Sequence, residues 1–100
     1  MGEEKEIQKE SLVYVKYPDK DILKSKIQRL RRKNNLYAAM LLGNGFKRKV
    51  KILFHTSFNK LFVNTTIWHV GKEYVTLKGG RCLPIKAVEK VKFYWILGIT

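Results

Sequence analysis

Carboxylates are missing from the middle of this 100-residue chain: none occurs between Ile22 and Lys72. Six of the eight acids stand in the first 21 residues, and Glu73 and Glu89 are the others. Local ion pairing within that span is therefore excluded, and its Lys and Arg side chains build a strong positive potential. Cysteine is nearly absent too. A lone Cys82 excludes an internal disulfide and suits a reducing compartment. No apolar run approaches the ~20 residues of a membrane span. The opening MGEEKEIQKE lacks the cationic start and apolar stretch of a secretory signal. A cytoplasmic location is expected, and a membrane is not an expected partner.

What is present describes one folded domain. Hydrophobic residues make up 45% of the chain and charged residues 29%, the balance of a globular protein. The formal charge of +13 makes a polyanion the first partner to consider. Residues 1–19 read as a polar, acidic N-terminal arm and residues 20–100 as a helix followed by a small β domain.

The helix is expected to begin near residue 20, after Pro18, with Asp19 or Asp21 as its cap. Leu23, Ile27, Leu30, Asn34, Tyr37 and Leu41 recur at helical spacing and form the expected buried stripe. Asn34-Asn35 marks a kink or a break between two shorter helices; the alternative is a polar position in a paired-helix seam. Gly43-Asn44-Gly45 is expected to stop the helix. The period then changes to two. KRKVKILFHT, LFVNTTIWHV, YVTLK, RCLPI and EKVKFYW read as five strands. Gly79-Gly80 forms a two-residue hairpin turn and KAV a tight turn before the last strand. Val50, Ile52, Phe54, Val75, Leu77, Val91 and Phe93 are expected inward, with Trp68 and Phe62 in the core. The fold class is mainly β with an N-terminal α-helix, a five-stranded barrel.

The order of these elements, with IQRLRRKNNL before the strands and YVTLKGGRCLPIKAVEKV near the end, resembles the SH3-like small barrels of Sm and Hfq proteins over most of residues 20–95. The tyrosine-lysine-histidine signature of Hfq is replaced here by Pro84-Ile85-Lys86-Ala87, so the resemblance implies the barrel and not its uridine pocket. The chain is also similar to a group of short, uncharacterised bacterial proteins. Leu42-Gly43-Asn44-Gly45, Lys47 to Ile52, Thr65 to Trp68 and Val75 to Ile85 carry that likeness, which implies a shared fold and transfers no activity.

Three constellations bear on function. Lys47, Lys49 and Lys51 alternate along the first long strand, about 6–7 Å apart, a spacing comparable to successive phosphates of a single strand. Arg31 and Arg32 on the helix, with Lys78 and Arg81 around the glycine turn, add charge. Tyr74 and Tyr94 fall opposite the inward residues of their strands, where aromatic faces stack on bases without regard to sequence. Together they point to non-enzymatic binding of nucleic acid, RNA ahead of DNA, through phosphates. The alternative is a protein-interaction module of SH3-like type that uses an aromatic groove lined by Trp68 and Tyr94, or an edge strand. His55, His69 and Cys82 lack the spacing of a metal or nucleophile site, and no cofactor is expected. The sequence leaves the oligomeric state open.

Overall fold

A computed structural model describes residues 4–94. Among the described residues are the helix α1 (Lys26–Phe46) and seven strands that form two sheets: β1 (Lys5–Glu6), β2 (Val50–His55), β3 (Lys60–Thr65), β4 (Ile67–Val70), β5 (Tyr74–Leu77), β6 (Cys82–Pro84) and β7 (Val88–Lys92). The first sheet has the order β1-β3-β2-β7 and the second β4-β5-β6. A mainly β domain with one helix before the long strands is the expected class. The closed five-stranded barrel is not what these sheets form. Thr66 divides the single run expected at 61–70 into β3 and β4, which belong to different sheets.

The strands follow from period-two patterning. Val50, Ile52 and Phe54 of β2 and Val75 and Leu77 of β5 are buried in one core with Ile67 and Leu83, joined by Val88 and Val91 of β7, whose three-residue spacing follows from a register shift against β2 at Leu53/Phe54. Gly79 and Gly80 take φ of +90° and +87°, as the hairpin between β5 and β6 requires. The tight turn expected before the last strand is a short 3-10 turn, Ile85–Ala87, one residue earlier than KAV.

The N-terminal leader is docked on this domain. Acidic composition suggested an arm, yet β1 pairs parallel with β3 and Leu12 is 3% exposed within the core. Ile7, Val15 and Tyr17 pack beside it, so alternate apolar residues in the leader outweigh its polar average.

The helix departs from its expected limits and face. Ser25, not Asp19 or Asp21, is the cap: its Oγ accepts from the N–H groups of Ile27 (3.1 Å) and Gln28 (3.4 Å). The helix runs unbroken through Asn34-Asn35 and past Gly43 to Phe46. There Lys47 takes the left-handed conformation, with φ 55°. Gly43 does other work. A Cβ there would lie 2.6 Å from the Ile67 carbonyl oxygen, so the glycine lets α1 approach β4. The buried residues are Arg32, Leu36, Ala39 and Gly43. The stripe expected to be buried instead faces outward, with Ile27, Leu30 and Leu41 each more than half exposed.

Candidate nucleic-acid interface

The outer face of the four-stranded sheet is built by side chains that alternate with the core residues. Antiparallel register aligns them in rungs across β3, β2 and β7. Asn64, Lys51 and Lys92 form one rung, and Phe62, Leu53 and Lys90 the next. Lys60 and His55 lie opposite each other in the third, beside Glu89. Leu53 points outward yet is only 4% exposed, flanked in register by Phe62 and the long stem of Lys90.

Lys51 and Lys92 face each other directly. Like charges in such positions oppose sheet pairing. Among the described residues, no carboxylate lies within ion-pair distance of Lys51, Lys90 or Lys92. The Lys51 ammonium rests 4.1 Å from the centroid of the Phe62 ring, a weak attraction that leaves it free to move onto a stronger anion. Tyr94, two residues past Lys92, reaches over the sheet and donates its hydroxyl to Asn64 Oδ1. Asn64 Nδ2 in turn donates to Glu6 Oε2 at 3.0 Å. Burial, and then the nearby Glu6 charge, push the Tyr94 phenol above its usual range. The hydroxyl stays protonated and the ring, 46% exposed, is held in place over the strands.

The acids of the face lie at its margins. Glu89 accepts from His55 Nε2 at 2.7 Å and sits 3.5 Å from Lys60 Nζ. The hydrogen bond to His55 is the main reason the Glu89 carboxyl lies below the usual glutamate value. The sequence offered His55 no neighbouring carboxylate; the pairing of β2 with β7 supplies one. Around the edge of β7, a cleft of about 460 Å³ joins the sheet to α1, with Arg31 and Lys90 in its wall. A second cleft of about 460 Å³ lies between α1 and the β4–β5 turn, lined by Arg29, Lys33, Tyr37 and Lys72.

The sequence-predicted residues divide among several places. Lys51 and Tyr94 belong to the outer face, and Arg31 borders it. Lys47 and Lys49 are exposed but lie in the connector before β2, so the three lysines do not form a row on one strand. Arg32 is withdrawn from any surface role. It is 6% exposed and pairs with Asp21, while its Nη1 also donates to the Val88 carbonyl at 3.1 Å. Lys78, Arg81 and Tyr74 are exposed on the second sheet and its hairpin, not on the sheet that carries Lys51 and Lys92. Trp68, expected in the core, is 47% exposed on β4.

Lys90 and Lys92 are the residues that sequence reasoning missed, while Phe62, expected in the core, stands half-buried on the outer face under Lys51. The alternation of EKVKF carried the signal for the two lysines, since inward Val91 and Phe93 require outward Lys90 and Lys92. Among the described residues, no group of three His, Cys, Asp or Glu side chains comes together as metal ligands. No helix among them is long and apolar enough to cross a membrane. Comparison with protein-family models, curated proteins and solved structures finds no match for this chain.

Proposed function

We propose that this protein binds single-stranded nucleic acid, RNA in preference to DNA, on the outer face of the four-stranded sheet. The observation that carries the reading is the Lys51–Lys92 rung. Two cations stand opposite each other beside Lys90, without a carboxylate partner among the described residues, on a face that also presents Phe62 and Tyr94. Such a face destabilises the free protein slightly and is relieved by phosphate. Lys51, Lys90, Lys92, Arg31 and Lys49 supply charge, and the Tyr94 ring is a stacking surface for a base. The reading is non-enzymatic and cytoplasmic, with no cofactor. We also read β3 and β4 as one bent strand shared by two sheets, the plan of an SH3-like small barrel.

The peptide-groove alternative has less support, because Trp68 stands on β4 of the second sheet while Tyr94, past the end of β7, bonds to Asn64 of the first. Neutralising about five phosphates gives a log–log salt slope of about −3.5 on single strands, with micromolar affinity near physiological salt. Fluorescence anisotropy of labelled RNA and DNA oligonucleotides at two salt concentrations measures both. No response at low salt from tens of micromolar protein overturns the proposal.

A further inference from the structure

The cleft between α1 and the β4–β5 turn lies apart from the sheet face and has its own chemistry. Arg29, Lys33 and Tyr37 stand four residues apart on α1, so they form one row, each about 6 Å along the helix from the next. Lys72 comes to the same cleft from the turn after Gly71. Leu36 and Val70, both buried, add apolar lining.

The charge of this cleft is unbalanced. Among the described residues, no carboxylate lies within ion-pair distance of Arg29, Lys33 or Lys72. Asp21 is spent on Arg32, and Glu73, next to Lys72 in the chain, lines the adjoining cleft and not this one. Arg29 is also held in position. Its Nε donates to the Leu23 carbonyl at 3.0 Å and its Nη2 to that of Lys24 at 2.9 Å, which fixes the guanidinium without neutralising it. Arg32 borders the cleft as well, and its buried Nε has no hydrogen-bond partner among the described residues. Three cations and an unfilled donor call for an acceptor-rich anion.

We infer that this cleft binds a nucleoside diphosphate. A phosphate monoester carries about −1.5 to −2 near neutral pH, which leaves the three cations in excess; a second phosphoryl group brings the charge close to balance. Pyrophosphate by itself would leave the rest of the lining unused. Tyr37, 39% exposed at the end of the row, offers a ring on which a base can stack, beside the apolar Leu36 and Val70. A volume of about 460 Å³ suits one small molecule. The cleft shares no residue with the Lys51–Lys92 face, so the two proposals fail separately.

Titration of ADP into the full isotope-labelled chain at low salt, followed by NMR, tests the site. Shifts are expected at the amides of Lys33, Tyr37, Gly71 and Lys72, with a Kd of about 100 μM. Lys33→Ala and Lys72→Ala, both at exposed positions, should each weaken ADP about tenfold. Lys78→Ala removes the same charge from the β5–β6 hairpin and should leave ADP binding unchanged. Tyr37→Ala, with the fold intact by circular dichroism, should weaken ADP about tenfold and pyrophosphate hardly at all. Absence of shifts at millimolar ADP overturns the inference. So does ADP that shifts Lys51 and Lys92 in place of the cleft, an equal loss from Lys78→Ala, or a Tyr37→Ala loss equal for ADP and pyrophosphate. Displacement of ADP by a single-stranded oligonucleotide overturns it too, since the cleft then belongs to the path of the nucleic acid.

Discussion

Arg32 and Asp21 close a two-pronged ion pair, Nη1 to Oδ1 at 2.9 Å and Nη2 to Oδ2 at 2.6 Å. It ties the middle of α1 to the segment before the helix, and Arg32 reaches on to the Val88 carbonyl at the start of β7. Burial by itself raises the Asp21 pKa. Hydrogen bonds from Arg32 and from the Leu23 N–H outweigh that and hold the carboxyl below its ordinary 3.8.

Breaking this pair from one side should be costly. Asp21→Asn leaves a buried guanidinium without its counter-charge and is expected to destabilise by about 2–3 kcal/mol, less than a fully buried pair because Asp21 is partly solvated. Replacing both, Asp21→Asn with Arg32→Met, removes the stranded charge and should recover a large part of that loss. Urea denaturation of the two variants checks the order; a double variant worse than the single one contradicts it.

Two of the paired carboxylates, Asp21 and Glu89, are partly buried and shape the acid response. Asp21 and Glu89 both lie below their ordinary values of 3.8 and 4.5, so each favours the folded state while ionised. That contribution is complete above the ordinary values. It disappears as pH falls through the lower folded-state values. Glu89→Gln should therefore flatten the acid limb of a stability–pH curve below about pH 5 relative to the parent chain.

Tyr17 titrates at the other extreme. Burial pushes its phenol up to about 12, with the hydroxyl donating to the Leu12 carbonyl at 3.2 Å and the ring beside Phe54. The neutral form is favoured by folding, so its contribution is intact below pH 10 and is lost as pH rises toward 12. Ultraviolet absorbance should show a late tyrosine phase near pH 12 that belongs to Tyr17. Tyr17→Phe should remove that phase at a cost of about 1 kcal/mol.

Opposite effects are expected at the end of α1. Gly43→Ala drives a Cβ against the Ile67 backbone and the Thr66 methyl, at 2.6 and 2.7 Å, and should destabilise by about 1–3 kcal/mol. Lys47→Gly frees a left-handed position from a β-carbon and should stabilise by roughly 0.5–1 kcal/mol. Thermal melts separate the two signs.

If the sheet face binds nucleic acid, Lys92→Ala should weaken binding across sequences and lower the salt slope by about 0.7. Lys78→Ala on the second sheet should leave the slope unchanged. Equal effects from both, measured by anisotropy, assign the affinity to diffuse charge and not to this face.

Much of the architecture was legible in the chain because it depends on near neighbours. Alternation at Val50, Ile52 and Phe54 makes β2, and two adjacent glycines make the hairpin at 79–80, whatever lies elsewhere. The helix face was not legible. Two apolar stripes compete on α1, and periodicity cannot say which one meets the sheet; the one containing Gly43 does, because a glycine there lets the helix approach β4. Residue types and their spacing alone determined a cationic, mainly β domain whose strands turn alternate residues outward. Only the folded arrangement decided that Lys51 meets Lys92 across 41 residues, that Arg32 is a buried strut, and that Glu89 serves His55, since register between distant strands arises from packing a shared core.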